Sequence, residues 1–381
     1  MIEGGPTYRI VAIPGDGVGP EVVDAAIRVL DAAAGQFGFA LEWQHIRAGG
    51  VAIDAFGVAI RDEDVALCAS ADAVLLGAVG GPRWDDPAAT VRPEQALFAL
   101  RGGLGLFANL RPVTIHPAIA ASAAPLKSEL LEGVDLLIIR ELTGGLYFGH
   151  RTEASGTPGQ RVASDTLPYS EPEIRRIVRL AFELARTRRG RLTSVDKANV
   201  LATSRLWRSV VEDLRPEFPD IEVNHQLVDS CAMLLIKQPA RFDVLVTENL
   251  FGDILSDEAS VLAGSLGLLP SASLGERRTD HGVFGLYEPI HGSAPDIAGL
   301  DLANPIGTIL SAAMLLRWSL GREDAASAIE TAVGAALDAG WRTSDLADAD
   351  DPGDGLVVVG TRALATAVID QLATVPAAVG S

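Results

Sequence analysis

Cysteine is nearly absent: Cys68 and Cys231 are the only two in 381 residues. This excludes a disulfide framework and any cysteine-based zinc site, and it suits a reducing, cytoplasmic compartment. Positive charge is also scarce, with 31 Lys and Arg against 50 Asp and Glu and a formal net charge of −19. Sequence-independent binding to nucleic acid or to an anionic membrane needs clustered cations, so both partners are disfavoured. Any anionic substrate must be met by a small local group of arginines or lysines. Long apolar runs are missing as well. None approaches the roughly 20 residues of a membrane-spanning helix, and no secretory signal precedes the first strand. What remains, 48% hydrophobic and 21% charged residues, is the composition of a globular chain long enough for two or three domains with a large core.

Strand and helix patterns alternate along the chain. Tyr8 to Ile13 is a β-branched strand ending at Pro14-Gly15-Asp16-Gly17-Val18-Gly19-Pro20-Glu21. The helix that follows carries Val22, Val23, Ala26, Ile27, Leu30 and Ala33 on one stripe. The glycine-rich turn is G-x-G-x-G-P and fails the G-x-G-x-x-G dinucleotide pattern at its sixth position, which argues against an ordinary Rossmann site. Leu41 to Ile46, Ala73 to Val79 and Asp135 to Ile139 are further strands, with a helix near Asp62 to Ser70; such apolar runs suit sheets covered on both faces. Leu142 to Ser170 is glycine-rich and irregular, an expected arm or flap. Ser170 and Glu173 form a capping box for a helix from Glu171 to Arg189, stopped by Gly190. Its Arg186, Arg188 and Arg189, with Arg191 beyond, are expected as solvated partners of the helix C-terminus, because no aromatic residues interleave with them.

The stretch with most chemical content is Thr247 to Asp257, T-E-N-L-F-G-D-I-L-S-D. Phe242 to Val246 is expected as a short buried strand and Gly252 as the turn into a helix, with Ile254, Leu255, Ala259 and Leu262 on its apolar side. Asp253 and Asp257 then share a face one turn apart, where like charges repel unless something positive lies between them. Oxygen-only ligands there suit Mg²⁺ or Mn²⁺. The plainer reading is a solvated acidic first turn. Other polar groups stand out for sitting at the edges of apolar segments: Lys197 in S-V-D-K-A-N-V-L, Asp229 in H-Q-L-V-D-S-C-A, Tyr147 in E-L-T-G-G-L-Y-F-G, and Arg101, Arg111 and Arg140. Singly each is an ordinary surface or structural residue; together they supply a metal site, an anion clamp, a base and an acid.

The motifs G-D-G-V-G-P-E, F-A-N-L-R-P, R-E-L-T-G-G-L-Y-F-G, V-D-K-A-N-V-L, N-L-F-G-D-I-L-S-D-E-A-S and Y-E-P-I-H-G-S-A-P-D-I-A-G occur in order from about Ile10 to Leu320. They resemble the metal-dependent β-decarboxylating dehydrogenases, the isocitrate/isopropylmalate dehydrogenase family, and most of all its members acting on 3-isopropylmalate in leucine biosynthesis. The resemblance implies an α/β chain of two domains with a mixed central sheet flanked by helices, not a classical Rossmann fold. A discontinuous cofactor-binding domain would comprise residues 1–106 and 264–381. Residues 107–263 would carry the substrate, the metal, the dimer contacts and an arm near 146–169.

The resemblance also implies roles. Asp253 and Asp257 of one subunit, with Asp229 of its partner, would hold Mg²⁺ or Mn²⁺. Arg101, Arg111 and Arg140 would bind the malate carboxylates, a task suited to planar guanidinium groups. Lys197, from the partner subunit, would be the base for the C2 hydroxyl, and Tyr147 the acid that protonates carbon after carbon dioxide leaves. NAD would lie along Gly80, Gly81 and Glu94 and along Glu288, His291, Gly292, Ser293, Ala294, Pro295, Asp296, Ile297 and Asn304. Glu94, Leu97 and Phe98 would line the variable substituent. Both homodimerisation and oxidation of 3-isopropylmalate to 4-methyl-2-oxopentanoate follow from the same likeness. Other implied possibilities are a family member acting on isocitrate, homoisocitrate or tartrate, and a regulatory subunit of this fold without turnover. Phe98 departs from the family's frequent Leu, Gly102 and Gly103 from a common basic residue, and His150 is less usual; only Phe98 bears on substrate choice.

Two further signals are set aside. Asp348 to Gly353 hints at a calcium loop, but Pro352 and Val359 stand where a carbonyl ligand and a bidentate Glu are needed. His281 and His291, ten apart without cysteine nearby, fit no zinc spacing.

Overall fold

The first strand of the chain, T-Y-R-I-V-A-I-P-G, is buried on alternate residues and then throughout, as a central strand covered on both faces requires. The computed structural model describes residues 5–86, 89–120, 125–347, 353 and 355–376. In chain order its strands include β1 (Thr7–Gly15), β2 (Ala40–His45), β3 (Ala73–Ala78), β4 (Leu106–Thr114), β5 (Asp135–Glu141) and β6 (Arg151–Ser155). Then come β7 (Val162–Asp165), β8 (Arg191–Asp196), β9 (Glu222–Leu227), β10 (Val244–Thr247), β11 (Pro270–Arg278) and β12 (Val283–Pro289). The chain divides into two compact units, one made of 1–106, 116–125 and 263–381, the other of 107–115 and 126–262. The acidic turn at Asp348 to Pro352 lies outside the described residues.

In the first unit the strands run β2-β1-β3-β12-β11. β1 is parallel to β2 and β3, β12 is parallel to β3, and β11 is antiparallel to β12, so the sheet is mixed. β3, A-V-L-L-G-A, is buried along its whole length, and its Gly77 admits the start of the Gly19–Phe37 helix: a Cβ there would lie 2.8 Å from Gly19 Cα. That helix ends at Gly38 with φ +74°, the left-handed cap for which glycine is suited. The turn after β1 does not leave its acidic residue free. Buried Asp16 instead accepts hydrogen bonds from the backbone N–H groups of Gly50 (2.7 Å), Val51 (2.8 Å) and Gly80 (2.8 Å), so its carboxylate is consumed in tying the chain's own loops together.

In the second unit the order is β4-β5-β10-β8-β9, with β4 antiparallel to β5 and β5, β10, β8 and β9 mutually parallel in sequence. β6 and β7 pair as an antiparallel hairpin, exposed on every residue, where the sequence predicted irregular chain. The Glu171–Arg186 helix has its capping box but ends three residues before the expected Arg189. The arginines after it are not free in solvent. Arg188 Nε donates to buried Asp243 (2.9 Å), whose other oxygen accepts the backbone N–H groups of Arg189 (3.0 Å) and Arg191 (3.1 Å). Arg186 pairs with Asp220. The helix bearing the two aspartates runs Asn249–Ser260, so Gly252 lies inside it and not at its opening. Glu248 caps that helix, accepting from Phe251 N (2.9 Å) and Leu250 N (3.2 Å), and Ile254, expected on the apolar side, is 57% exposed.

Candidate active site

The second unit brings together two groups of the expected residues. Arg140, next to last in β5, lies opposite Thr247 of β10, so the parallel pairing brings it to the start of the Asn249–Ser260 helix. It is buried. Its Nε and Nη2 donate to Asn249 Oδ1 at 3.0 and 2.8 Å, and its Nη1 donates to Asp253 Oδ1. Gly252 makes room for it, since a Cβ there would stand 2.6 Å from Arg140 Cγ. Arg111, on β4, is held by Asn109 Oδ1 (2.8 Å) and Ser256 Oγ (2.6 Å). From that position its Nη1 donates to Asp257 Oδ1 (3.1 Å) and its Nη2 lies 4.0 Å from Asp253 Oδ1. Asp253 and Asp257 do share a face, and the group of positive charge beside them is a guanidinium of the same chain.

Tyr147 completes this cluster. Its hydroxyl donates to Asp253 Oδ2 at 2.5 Å, and the Arg140 guanidinium carbon lies 5.5 Å from its ring centroid. Burial, then the hydrogen bond to Asp253, pushes the phenol above its ordinary value, so it keeps its proton. Burial likewise raises the carboxyl of Glu248 beneath the helix start.

The second group is Lys197, just past β8, whose Nζ lies 2.9 Å from Asp229 Oδ2 at the start of the Val228–Lys237 helix. The hydrogen bond from Lys197 holds the Asp229 carboxyl below the usual range. Among the described residues, no group of three or more His, Cys, Asp or Glu side chains is placed to hold a metal. Asp229 therefore does not join Asp253 and Asp257 within one chain.

The first unit holds the remaining expected residues. Arg101 Nη2 lies 3.5 Å from Glu288 Oε1, both largely buried, and Arg101 Nε has no hydrogen-bond partner among the described residues. Gly80, at φ +107°, faces Glu94 Oε1, which a Cβ would approach to 3.1 Å; Gly81 has φ +153°. His291 Nδ1 contacts Gly292 O at 2.8 Å while its Nε2 is buried without a partner, and burial pulls the imidazole down. Ser293 O receives Val18 N (2.8 Å), Ala294 takes φ +37°, Pro295 and Asp296 are exposed, and Ile297 packs against Val18, Val22 and Ala303. Asn304 is buried, with Oδ1 receiving Ile306 N (3.0 Å) and Nδ2 donating to Asp345 (3.1 Å), which fixes the start of the Ile306–Trp318 helix. Leu97 is half-buried against the core, while Phe98 is 40% exposed.

Sequence reasoning passed over Asn109, Tyr169, Asn249 and Ser256, and marked Glu141 for its place beside Arg140 at the carboxyl end of a strand. All but Tyr169 stand inside motifs already quoted, one to four residues from a named group. Tyr169 carries no such signal.

The family model for isocitrate/isopropylmalate dehydrogenase matches residues 9–368. The 3-isopropylmalate dehydrogenase of Anaeromyxobacter dehalogenans is 55% identical over 365 residues, covering 96% of this chain and 99% of that protein. That of Moorella thermoacetica is 54% identical over 366 residues, covering 96% and 98%. Among solved structures, isocitrate dehydrogenase from Methylococcus capsulatus superposes with a TM-score of 0.81 at 35% identity, covering 96% of this chain and 99% of that one. The chain belongs to the isocitrate/isopropylmalate dehydrogenase family.

Proposed function

We propose that the protein oxidises and decarboxylates 3-isopropylmalate to 4-methyl-2-oxopentanoate with NAD, a step of leucine biosynthesis in the cytoplasm. The observation that carries this reading is the constellation of Arg111, Arg140, Tyr147, Asp253 and Asp257: two cations, two carboxylates and a protonated phenol in mutual contact. Relatives bearing that activity match nearly the whole chain at higher identity than the isocitrate dehydrogenase structure.

The residues divide the chemistry between them. Arg111 and Arg140 take the substrate carboxylates, the role that the family likeness also gives Arg101. Asp253 and Asp257 offer only oxygen ligands, one helical turn apart, and the Asp257 side chain is 67% exposed, so the pair fits Mg²⁺ or Mn²⁺. Bound there, such a cation would stabilise charge developing on the C2 oxygen by several kcal/mol. Lys197 removes the C2 hydroxyl proton, and bound NAD would supply the hydride acceptor for C2. The C3–carboxylate bond then breaks, its electrons remain as the enolate, and Tyr147 delivers its proton to C3. Glu94, Leu97 and Phe98 line the alkyl group. The unpartnered Nε2 of His291 and the loop from Glu288 through Gly292, Ser293, Ala294, Pro295, Asp296 and Ile297 to Asn304, with Gly80 and Gly81, serve NAD.

The Lys197–Asp229 pair forms its own cluster, which supports a homodimer in which each copy lends these two residues to its partner's site. The exposed β6–β7 hairpin and exposed Met233, Ile254 and Val261 give a second copy apolar surface to cover. Mixing Lys197→Ala and Asp253→Asn chains tests this: each alone is inactive, each heterodimer regains one of its two sites, and a random equimolar mixture regains about a quarter of all sites. No recovery after verified subunit exchange would remove the shared site. Among the described residues no helix is long and apolar enough to cross a membrane.

A further inference from the structure

The turn that carries Tyr147 and the helix that carries Asp253 are both fastened to one side chain outside the constellation. Tyr169, between the hairpin and the Glu171–Arg186 helix, donates its hydroxyl hydrogen to Glu141 Oε2 (3.1 Å) and accepts the backbone N–H of Asn249 (3.0 Å) on the same oxygen. Glu141 has no exposed surface. Its carboxylate also accepts Thr143 N (2.9 Å), Thr143 Oγ1 (2.5 Å) and Gly144 N (2.8 Å), closing the turn that leads to Tyr147. Asn249 Nδ2 donates to Gly144 O (3.2 Å). The turn also packs closely against Tyr169, because a Cβ on Gly144 would come within 2.4 Å of Tyr169 Cε1 and one on Gly145 within 2.9 Å of its hydroxyl. Trp207 backs the ring edge-on at 5.9 Å between centroids.

We propose that Tyr169 is a positioning residue for the proton-donating Tyr147, holding the Thr143–Tyr147 turn against the start of the Asn249–Ser260 helix so that the Tyr147 hydroxyl meets Asp253. The proposal rests on the reading of Tyr147 given above. The geometry gives it a direction. Removing the Tyr169 hydroxyl leaves the buried Asn249 N–H without its acceptor and takes one of four donors from a fully buried carboxylate, and both ends of that lost link belong to the segments carrying Tyr147 and Asp253. A proton donor displaced by about an ångström loses rate on the order of 10²-fold while ground-state binding changes little.

A double-mutant cycle distinguishes this role from general loosening of the fold. Tyr169→Phe, Tyr147→Phe and the double variant are compared with the parent for kcat and KM toward 3-isopropylmalate and for thermal midpoint. The expected result is a fall in kcat of at least tenfold in Tyr169→Phe, with KM within about threefold, and a double variant no slower than Tyr147→Phe alone. Parental kcat in Tyr169→Phe would overturn the proposal, and so would losses that multiply in the double variant. Should Tyr147→Phe itself keep full kcat, the reading of Tyr147 fails first, and that outcome is separately visible. If Tyr169→Phe does not fold, Glu141→Gln enters the same cycle; failure of both to fold would overturn the proposal by making the network a folding element.

Discussion

Arg111 Nη1 lies 3.1 Å from Asp257 Oδ1, and this contact places a cation of the chain beside two carboxylates that the helix holds one turn apart. Arg111 and Arg140 together neutralise part of the repulsion between Asp253 and Asp257. A divalent cation held by Asp253 and Asp257, as proposed, would free the two guanidinium groups toward an anionic substrate. Metal and substrate are therefore expected to bind with positive coupling, because each relieves what the other leaves unpaired.

Asp253→Asn tests the metal assignment. One neutral amide removes charge that a cation needs and loosens Arg140, so kcat should fall on the order of 10²- to 10³-fold, equivalent to about 3 to 4 kcal/mol. Excess chelator should abolish parental activity, and added Mn²⁺ should restore it. Parental turnover in chelator would contradict the assignment.

The phenol of Tyr147 gives a pH prediction with a definite sign. Burial and Asp253 raise it above the ordinary value near 10, so the proton is retained at every lower pH and its loss falls above the usual assay range. Tyr147→Phe should reduce kcat on the order of 10²-fold without altering the shape of the pH profile below about pH 9. An alkaline limb in that range that disappears in the variant would mean that Tyr147 titrates where the structure says it does not.

Gly252→Ala separates helix propensity from site geometry. In an exposed helix the change stabilises by about 1 kcal/mol. Here the new methyl would stand 2.6 Å from Arg140 Cγ and 2.7 Å from its Cβ, which moves the guanidinium off Asn249 and Asp253. KM for the substrate should rise on the order of tenfold, which initial-rate kinetics will read; an unchanged KM would show that Arg140 accommodates the methyl without loss.

Cofactor preference is the fourth test. Asp296 is exposed just after G-S-A-P, and in the proposed role its carboxylate would accept from ribose hydroxyls and repel a 2′-phosphate. NAD should exceed NADP in kcat/KM by on the order of 10²-fold. A higher value for NADP would refute the role of Asp296.

Much of the fold was legible because its signals are local. β3 and β5 are apolar runs of strand length, the Asp62–Ser70 helix agrees with its pattern to the residue, and the capping box at Ser170 is a two-residue code. The β6–β7 hairpin was not legible, because R-T-E-A-S and V-A-S-D expose both faces and so carry no alternation. The start of the Asn249–Ser260 helix was misplaced because Gly252 resembles a breaker, whereas its missing side chain serves the packing of Arg140. The arginines after residue 186 looked solvated because their principal partner, Asp243, is distant in sequence and indistinguishable there from any other acid. In the site, the named arginines, Tyr147 and the aspartates stand out in the sequence as polar groups at the edges of apolar segments. Glu141 shares that place beside Arg140, whereas Tyr169 and Asn249, which orient these groups from far along the chain, declare themselves only through contacts across the fold.

Substrate choice tests the central claim most directly. On the proposed reading the arginines would meet the part of the molecule common to all candidates, and discrimination would fall to Glu94, Leu97 and Phe98. A methylene against an apolar wall is worth about 1 to 3 kcal/mol, so ethylmalate should react at reduced efficiency. The third carboxylate of isocitrate would meet Glu94 with no added cation and should be rejected far more strongly. The measurement is kcat/KM for malate, ethylmalate, 3-isopropylmalate and isocitrate with Mn²⁺ and NAD. The account predicts 3-isopropylmalate first and isocitrate below ethylmalate; isocitrate equal to or better than 3-isopropylmalate would contradict it.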